Sequence, residues 1–333
     1  MLRVAVIGLG DVSKVHIQAI QDAQNVELVA VCDIDQTLKD SVPSVKFYSN
    51  YLELLEKETV DCVHNCLPHF LHYPVTKACI DKGIHVFQEK PLGLNTAEGL
   101  ALVKLEEANK KVKLCVCLQN RYNESFEKLQ EMVAAVNFGK LIGLKGLVAW
   151  FRPKSYYVSK PWRGIMEFAG GGVMINQALH TLDLMQLIGG EIEAIKGSIC
   201  NLLDYGFEVE DTATASIIFK NGATGLFFAS NANSENASVE IEAVFEKGKL
   251  VIKDNKLMMT NDGITKEIIE DMRMPGTKFY YGPSHTKLIH HFYSCIKNNT
   301  GNYVGAKDAF TSIAMIDAIR KSSEENRVIK MEV

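Results

Sequence analysis

Three short stretches of this chain carry residue types that could handle protons, hydrides or phosphates. In "IHVFQEKPLG", Glu89, Lys90 and Pro91 directly follow an apolar run. A charged pair closed off by proline is unusual at the end of a buried strand. A lysine there could hydrogen-bond a reacting oxygen, stabilise developing negative charge or pass a proton. In "GGGVMINQALHTLDL", glycines 170–172 lead into a helix expected from about Val173 to Ile188. Asn176, His180 and Asp183 fall at i, i+4 and i+7 and share one stripe, amid Met174, Ile175, Ala178, Leu179, Leu182 and Met185. Polar groups along one line of a buried helix need partners, and a polyhydroxylated ligand supplies them.

The third stretch is "GLGDVS", which gives Gly8-x-Gly10-x-x-Ser13 between the first expected strand and the first helix. Gly8 permits the tight turn, Gly10 lets a diphosphate approach the backbone, and the small Ser13 lets helix and strand pack closely. Asp11, Val12 and Ser13 open the helix, whose N–H groups and positive dipole end would hold the diphosphate. The second strand ends in "VCDID", with Asp33 placed 20 residues beyond Ser13. A carboxylate there accepts from the adenosine ribose hydroxyls and repels a 2′-phosphate, which argues for NAD over NADP. Asp35, farther past the strand end, is the weaker partner.

These stretches need elements to hold them. The first 120 residues alternate β-branched runs with helical segments, which implies right-handed βαβ units and a covered parallel sheet. Beyond about residue 122, longer strands are expected at 141–151, 191–202, 210–219, 223–231 and 237–245, with hairpin-like turns at "KNGA" and "EKGK". The expected architecture is α/β plus α+β: a Rossmann dinucleotide-binding domain over 1–121, then a domain over 122–333 with a large, open, mostly antiparallel sheet. The segments "PSHTKLIHHFYSCIKNN" and "AKDAFTSIAMIDAIRKSSEE" read as helices expected to pack against one or both domains, the first included. The 333-residue length suits two domains, and 47% hydrophobic with 23% charged residues is a globular composition. Net charge −4 gives no basic field for nucleic acid or an anionic membrane. "MLRVAVIGLGDV" enters a strand pattern directly, without signal-peptide features, and no apolar run reaches the roughly 20 residues of a membrane span. A cytoplasmic protein with reduced, buried thiols at its eight cysteines is expected. The nine histidines show no ligand spacing, so no catalytic metal is implied.

With those residues in place, "GxGxxS", "VCDID", "NCLPHFLH", "IHVFQEKPLG" and "GGGVMINQALHTLDL" together resemble the Gfo/Idh/MocA oxidoreductases, in order and over nearly the whole chain. The resemblance implies a nicotinamide-dependent enzyme that oxidises or reduces a hydroxyl or carbonyl of a sugar, cyclitol or sugar derivative. It implies Lys90 and His180 as catalytic groups, with the lysine's pKa pushed down, a cis bond before Pro91, and Glu89 on the cofactor ribose. Pro68 and His72 match a cofactor-side loop, and Arg121 of "NRYN" is a candidate for cofactor or substrate. Many members carry Asp where this chain has Asn176; an amide orients substrate but carries no proton away. Asp183 is expected to contact substrate or support His180. "RPKSYYVSKPWRG" offers Lys154, Tyr156, Tyr157, Trp162 and Arg163 for sugar faces and for hydroxyl or anionic groups. Tyr281 and His285 of "FYYGPSH" complete the candidates. Two other readings share these residues: a glycosidase that uses its NAD transiently, and a non-catalytic NAD-sensing regulator. Exposed sheet faces suggest a homodimer or homotetramer.

Overall fold

Apolar runs without polar alternation, such as Val4–Ile7, are almost wholly buried, as strands covered on both faces must be. The computed structural model describes residues 1–135, 138–272 and 282–331. These fall into two units. The first comprises residues 1–119 with the described part of 273–310, and the second comprises 120–272 with 311–331.

In the first unit, β1 (Leu2–Ile7), β2 (Val26–Cys32), β3 (Lys46–Tyr48), β4 (Cys62–Asn65), β5 (His85–Gln88) and β6 (Leu114–Val116) pair in parallel. Their order is β3-β2-β1-β4-β5-β6. The connection reverses direction at β1 and β4, and in open α/β sheets ligands bind beyond the carboxyl ends of strands at such a point. The helices are α1 (Ser13–Asp22), α2 (Tyr51–Lys57), α3 (His72–Asp81) and α4 (Thr96–Ala108). One cut near residue 121 does not bound this unit. A helix from far along the chain, Pro283–Asn298, packs on α1, and its His290 Nε2 lies 2.8 Å from Ala19 O. Phe292 on that helix meets Phe87 of β5, ring centroids 5.8 Å apart, so apolar contact brings it back.

The second unit begins with α5 (Glu124–Ala134) and β7 (Leu141–Ala149). Four short helices follow: α6 (Lys154–Val158), α7 (Met166–Ala169), α8 (Val173–Asn176) and α9 (Leu179–Gly189). The strands β8 (Ile192–Cys200), β9 (Thr212–Phe219), β10 (Thr224–Ser230) and β11 (Glu240–Phe245) come next, close to the expected positions. Then come β12 (Gly248–Lys253), β13 (Lys256–Asn261) and β14 (Ile264–Glu270). After α10 (Pro283–Asn298, of the first unit) and α11 (Ala306–Glu325), the two-residue β15 (Ile329–Lys330) closes the sheet. Among the described residues the order is β14-β13-β12-β11-β7-β10-β9-β8-β15, antiparallel except for the β7–β10 pair. The "KNGA" and "EKGK" turns join β9 to β10 and β11 to β12. The β12–β14 meander was not among the expected strands. Its turns are marked by Asp254 and Asn255 (φ 53° and 60°) and by Asp262 and Gly263 (φ 50° and 76°), residue types that tolerate left-handed backbone.

Two expectations need correction. The helix from Val173 to Ile188 is broken at Gln177 and Ala178, so Asn176 ends α8 while His180 and Asp183 lie on α9. Gln177 turns inward instead, accepting from Asn231 Nδ2 at 3.1 Å and donating to the Tyr156 hydroxyl at 3.1 Å. Those bonds outweigh helix propensity there. The cysteines are free, but Cys200 is exposed while the other seven are buried. Among the described residues, no helix is long and apolar enough to cross a membrane.

Gly172 is fixed by close approach rather than by a flexible loop. A Cβ there would lie 1.8 Å from Glu210 O, while the Glu210 carboxylate accepts from Gly172 N at 2.9 Å and Met174 N at 3.2 Å. Gly172→Ala is therefore expected to cost about 2–3 kcal/mol, read from the urea unfolding midpoint; a change below about 0.5 kcal/mol would contradict this packing.

Candidate functional site

The carboxyl edge of the parallel sheet gathers the residues suited to a dinucleotide. Gly8 has φ 95°, and a Cβ on it would lie 2.7 Å from Cys66 O, so both backbone conformation and contact require glycine. Around Gly10 an added Cβ would meet no protein atom within 4 Å, which is the open approach a diphosphate needs. No side chain caps the N-terminus of α1 at Val12, and its first turn carries no acid. The Ser13 hydroxyl donates to Gly10 O at 2.7 Å and fixes the turn. The positive end of the helix thus stands beside Gly10, Asp11 and Val12. Asp33 follows β2 and accepts from Leu9 N at 2.7 Å and Asp35 N at 2.9 Å, which aims its carboxylate at the glycine turn. Asp35 is spent locally, accepting from Thr37 N and Oγ1. Half-buried Pro68 stands beyond β4. These residues fit a dinucleotide: a glycine cradle, an uncapped helix end and a carboxylate for ribose hydroxyls.

Next to them lies a charged core. Glu89 follows β5 and is 7% exposed. Burial acts to raise its pKa, but the hydrogen bond and charge of His16 hold it well below the usual carboxylate range. His16 Nε2 lies 2.9 Å from Glu89 Oε1, His16 Nδ1 lies 2.8 Å from His64 Nδ1, and His64 Nε2 lies 2.7 Å from the Tyr293 hydroxyl. With His16 neutral, Tyr293 O–H donates to His64, His64 Nδ1–H donates to His16, and His16 Nε2–H donates to Glu89. With His16 charged, its Nδ1–H donates to His64, whose Nε2–H donates to Tyr293. Glu89 receives a proton donor in both cases. Burial and the charge of His16 hold His64 well below its ordinary pKa, keeping it neutral.

His16, Glu89 and Cys117 each place one ligand-type atom within 4.8 Å of the others. Burial pushes the Cys117 thiol well up, so it stays protonated, and its S–H donates to Gln119 Oε1 at 3.6 Å. The trio is thus a hydrogen-bonded His16–Glu89 pair with a protonated thiol beside it.

Lys90 is half-buried, and its bond to Pro91 is cis. The turn is braced from below: Gln88 Nε2 donates to Pro91 O and Leu92 O, both at 2.9 Å. His72 is fully buried, with ring nitrogens 2.7 Å from Pro91 O and 2.9 Å from Leu67 O. The His72 side chain thus lies between two turns inside the unit. His285 is buried near enough to Glu89 and Lys90 to feel both charges, and burial pushes its pKa down to about 4.

In the second unit, the two residues expected on ligands hold each other. Arg121 donates to Asp183 through Nε (2.8 Å) and Nη2 (2.6 Å), a bidentate pair whose carboxylate is 1% exposed. Asp183 is thereby committed to Arg121, and the pair anchors the chain at residue 121 to α9. Asn176 and His180 are half-buried, with His180 in the first turn of α9. Tyr157, expected against a sugar, is 3% exposed and stacks on Phe207 with ring centroids 4.7 Å apart. Burial raises its pKa to about 12. Its neighbour Tyr156 is half-buried, with Arg163 over its ring at 4.2 Å, and packs with Trp162 against the Tyr157 cluster. Tyr281 lies outside the described residues.

The sequence reading missed His16, His64, Tyr293 and Glu210. His16 carried a faint signal, as a histidine one turn into the helix after the glycine pattern. The others looked like ordinary strand, helix or turn residues, and only tertiary structure brings them to their partners. His16→Ala should leave Glu89 buried without its imidazole donor and lower unfolding free energy by about 3 kcal/mol. Tyr293→Phe removes only the far end of the line and should cost about 1 kcal/mol. Equal losses in urea denaturation would overturn this ranking.

Known proteins carry the same plan. Residues 2–117 match the pattern described as "Oxidoreductase family, NAD-binding Rossmann fold", and residues 130–332 match "Oxidoreductase family, C-terminal alpha/beta domain". The chain is 25% identical to myo-inositol 2-dehydrogenase of Thermotoga maritima over 99% of both sequences. It superposes on the WlbA dehydrogenase from Bordetella pertussis, solved with NADH and UDP-GlcNAcA, with TM-score 0.86 and 25% identity over 100% of this chain and 99% of that one. A likeness of fold extends to levoglucosan dehydrogenase, solved with NADH and levoglucosan, with TM-score 0.88 and 19% identity over the whole of both chains. Matched across both units, the chain belongs to the Gfo/Idh/MocA oxidoreductase family.

Proposed function

We propose that this protein is an NAD-dependent dehydrogenase acting on a secondary hydroxyl, or the matching carbonyl, of a sugar, cyclitol or sugar derivative. The observation that carries the reading is the shared carboxyl edge of one parallel sheet, where a glycine turn, an uncapped helix end, Asp33 and the Glu89–Lys90–Pro91 turn stand together. A bound nicotinamide would accept or give the hydride. Gly8, Gly10, Asp11, Val12 and Ser13 would hold its diphosphate, and Asp33 its adenosine ribose. Glu89, kept ionised by His16, has a second carboxylate oxygen suited to a ribose hydroxyl. Lys90 would hydrogen-bond the substrate oxygen and steady its charge, while His180 takes or returns the hydroxyl proton and Asn176 orients a neighbouring hydroxyl. Asp33 favours NAD, because a 2′-phosphate would meet its negative charge.

The outer face of the second sheet supports a homodimer or homotetramer. Ile218, Leu226 and Phe228 are 42%, 62% and 37% exposed on neighbouring strands β9 and β10, an apolar row suited to a second copy.

The direct test is reduction of NAD across a panel of aldoses, inositols, sugar acids and nucleotide sugars. One panel member should yield net NADH, with NADP at least about 10-fold poorer in kcat/KM. Lys90→Ala and His180→Ala should each lower kcat about 100- to 10,000-fold while NADH still binds. Substrate consumed without net NADH would replace this reading with transient use of the cofactor. For assembly, Leu226→Asp with Phe228→Asp should convert the oligomer to monomer in light scattering; a monomeric parent protein would sink that part.

A further inference from the structure

The loop from Trp150 to Arg163 carries Arg152, Lys154, Lys160 and Arg163 and no acid, in a chain whose net charge is −4. Two of these cations gather on one ring. The Arg163 guanidinium lies 4.2 Å from the Tyr156 centroid and the Arg152 guanidinium 5.4 Å from it, so the two charges are at most about 10 Å apart. Among the described residues, none of the four cations has an ion-pair partner. The carboxylates of the 208–211 stretch are taken by backbone donors: Glu208 by Met166 N, Glu210 by Gly172 N and Met174 N, Asp211 by Leu202 N and Leu203 N. Arg152 spends Nη1 on Phe151 O and Asn236 Oδ1, and Arg163 spends Nη1 on Tyr156 O. Each guanidinium retains further N–H groups in a fork that matches a carboxylate or phosphate.

Two further observations tie this cluster to a ligand site. Tyr156 receives its hydroxyl hydrogen bond from Gln177, the residue at the break between Asn176 and His180. Behind it, Asn231 donates to Gln177 and to Tyr157, while its own Oδ1 is buried with no hydrogen-bond partner, on a side chain of a residue 1% exposed. A buried acceptor without a donor is costly, and a ligand hydroxyl or amide is the kind of group that satisfies it.

We propose that Arg152 and Arg163, held on Tyr156, form the subsite for an anionic group on the substrate. The substrate class is then a polyhydroxylated ligand bearing a carboxylate or a phosphate, in preference to a neutral polyol. The word substrate rests on the dehydrogenase reading; the anion subsite rests on the arginines alone.

Calorimetric titration of the NADH-saturated protein tests it with three probes: glucuronate for the carboxylate, UDP-glucose for the phosphate, and myo-inositol as the neutral polyol. At least one anionic probe should bind about 10-fold or more tightly than myo-inositol, and added salt should weaken it. Which of the two binds more tightly assigns the anion. Arg152→Gln and Arg163→Gln should each weaken that binding about 10-fold without changing myo-inositol binding, and the charge-preserving Arg152→Lys and Arg163→Lys should recover part of it. Retention of the parent's thermal midpoint separates lost contact from lost folding. Equal binding of neutral and anionic probes, or indifference to both Gln variants, overturns the proposal. Because binding is read without turnover, arginine-dependent anion binding with no hydride exchange would count against the dehydrogenase reading and leave the subsite standing. Turnover of neutral polyols that ignores both arginines would do the reverse.

Discussion

The first unit is organised around a carboxylate that is almost out of water. Glu89 keeps its charge at 7% exposure because His16 reaches it from α1. An ionised carboxylate left alone there would be protonated or would unfold its surroundings. Two elements are therefore bound to one charge: the helix that follows the glycine turn and the end of β5. His64 and Tyr293 extend the line to β4 and α10. Both proton arrangements leave an N–H of His16 donating to Glu89, so Glu89 holds its position whether His16 is neutral or charged. Fixing Glu89 also fixes Lys90, its neighbour in the chain, and Gln88 and His72 clamp the carbonyl of Pro91 from the other side.

Much of the architecture was legible because it rests on local patterns. Apolar runs such as Val4–Ile7 alternating with helices specify a parallel sheet, and the "KNGA" and "EKGK" turns specify hairpins. Legibility fails where a tertiary contact overrules the pattern. Periodicity runs through Gln177 without interruption, yet its bonds to Asn231 and Tyr156 break the helix there. The β12–β14 strands carry Lys, Thr, Asn and Glu among their apolar residues, and their signal lay in the turn residues more than in the strands.

The candidate site divides in the same way. Gly8, Gly10 and Asp33 are readable because a backbone turn and a strand end fix their neighbours within a few residues. Arg121 and Asp183 each looked like a ligand group in isolation, and nothing local announces that one is the other's partner across 62 residues. Tyr156 and Tyr157 are adjacent in sequence but differ in exposure: Tyr157 is buried and stacked on Phe207, while Tyr156 packs half-buried against the same cluster.

The return of α10 makes the amino-terminal unit a closed loop in sequence rather than a leading segment. Phe292 fills the space beside Phe87, and Tyr293 completes the His64 line, so a polypeptide stopping near residue 121 lacks part of its own interior. During synthesis on a ribosome, the nucleotide-binding half therefore waits, incomplete, until most of the remaining chain has emerged. Any gene fusion or split that separates residues 1–119 from 282–310 divides one hydrophobic core in two, even though the cut falls between two apparently separate modules.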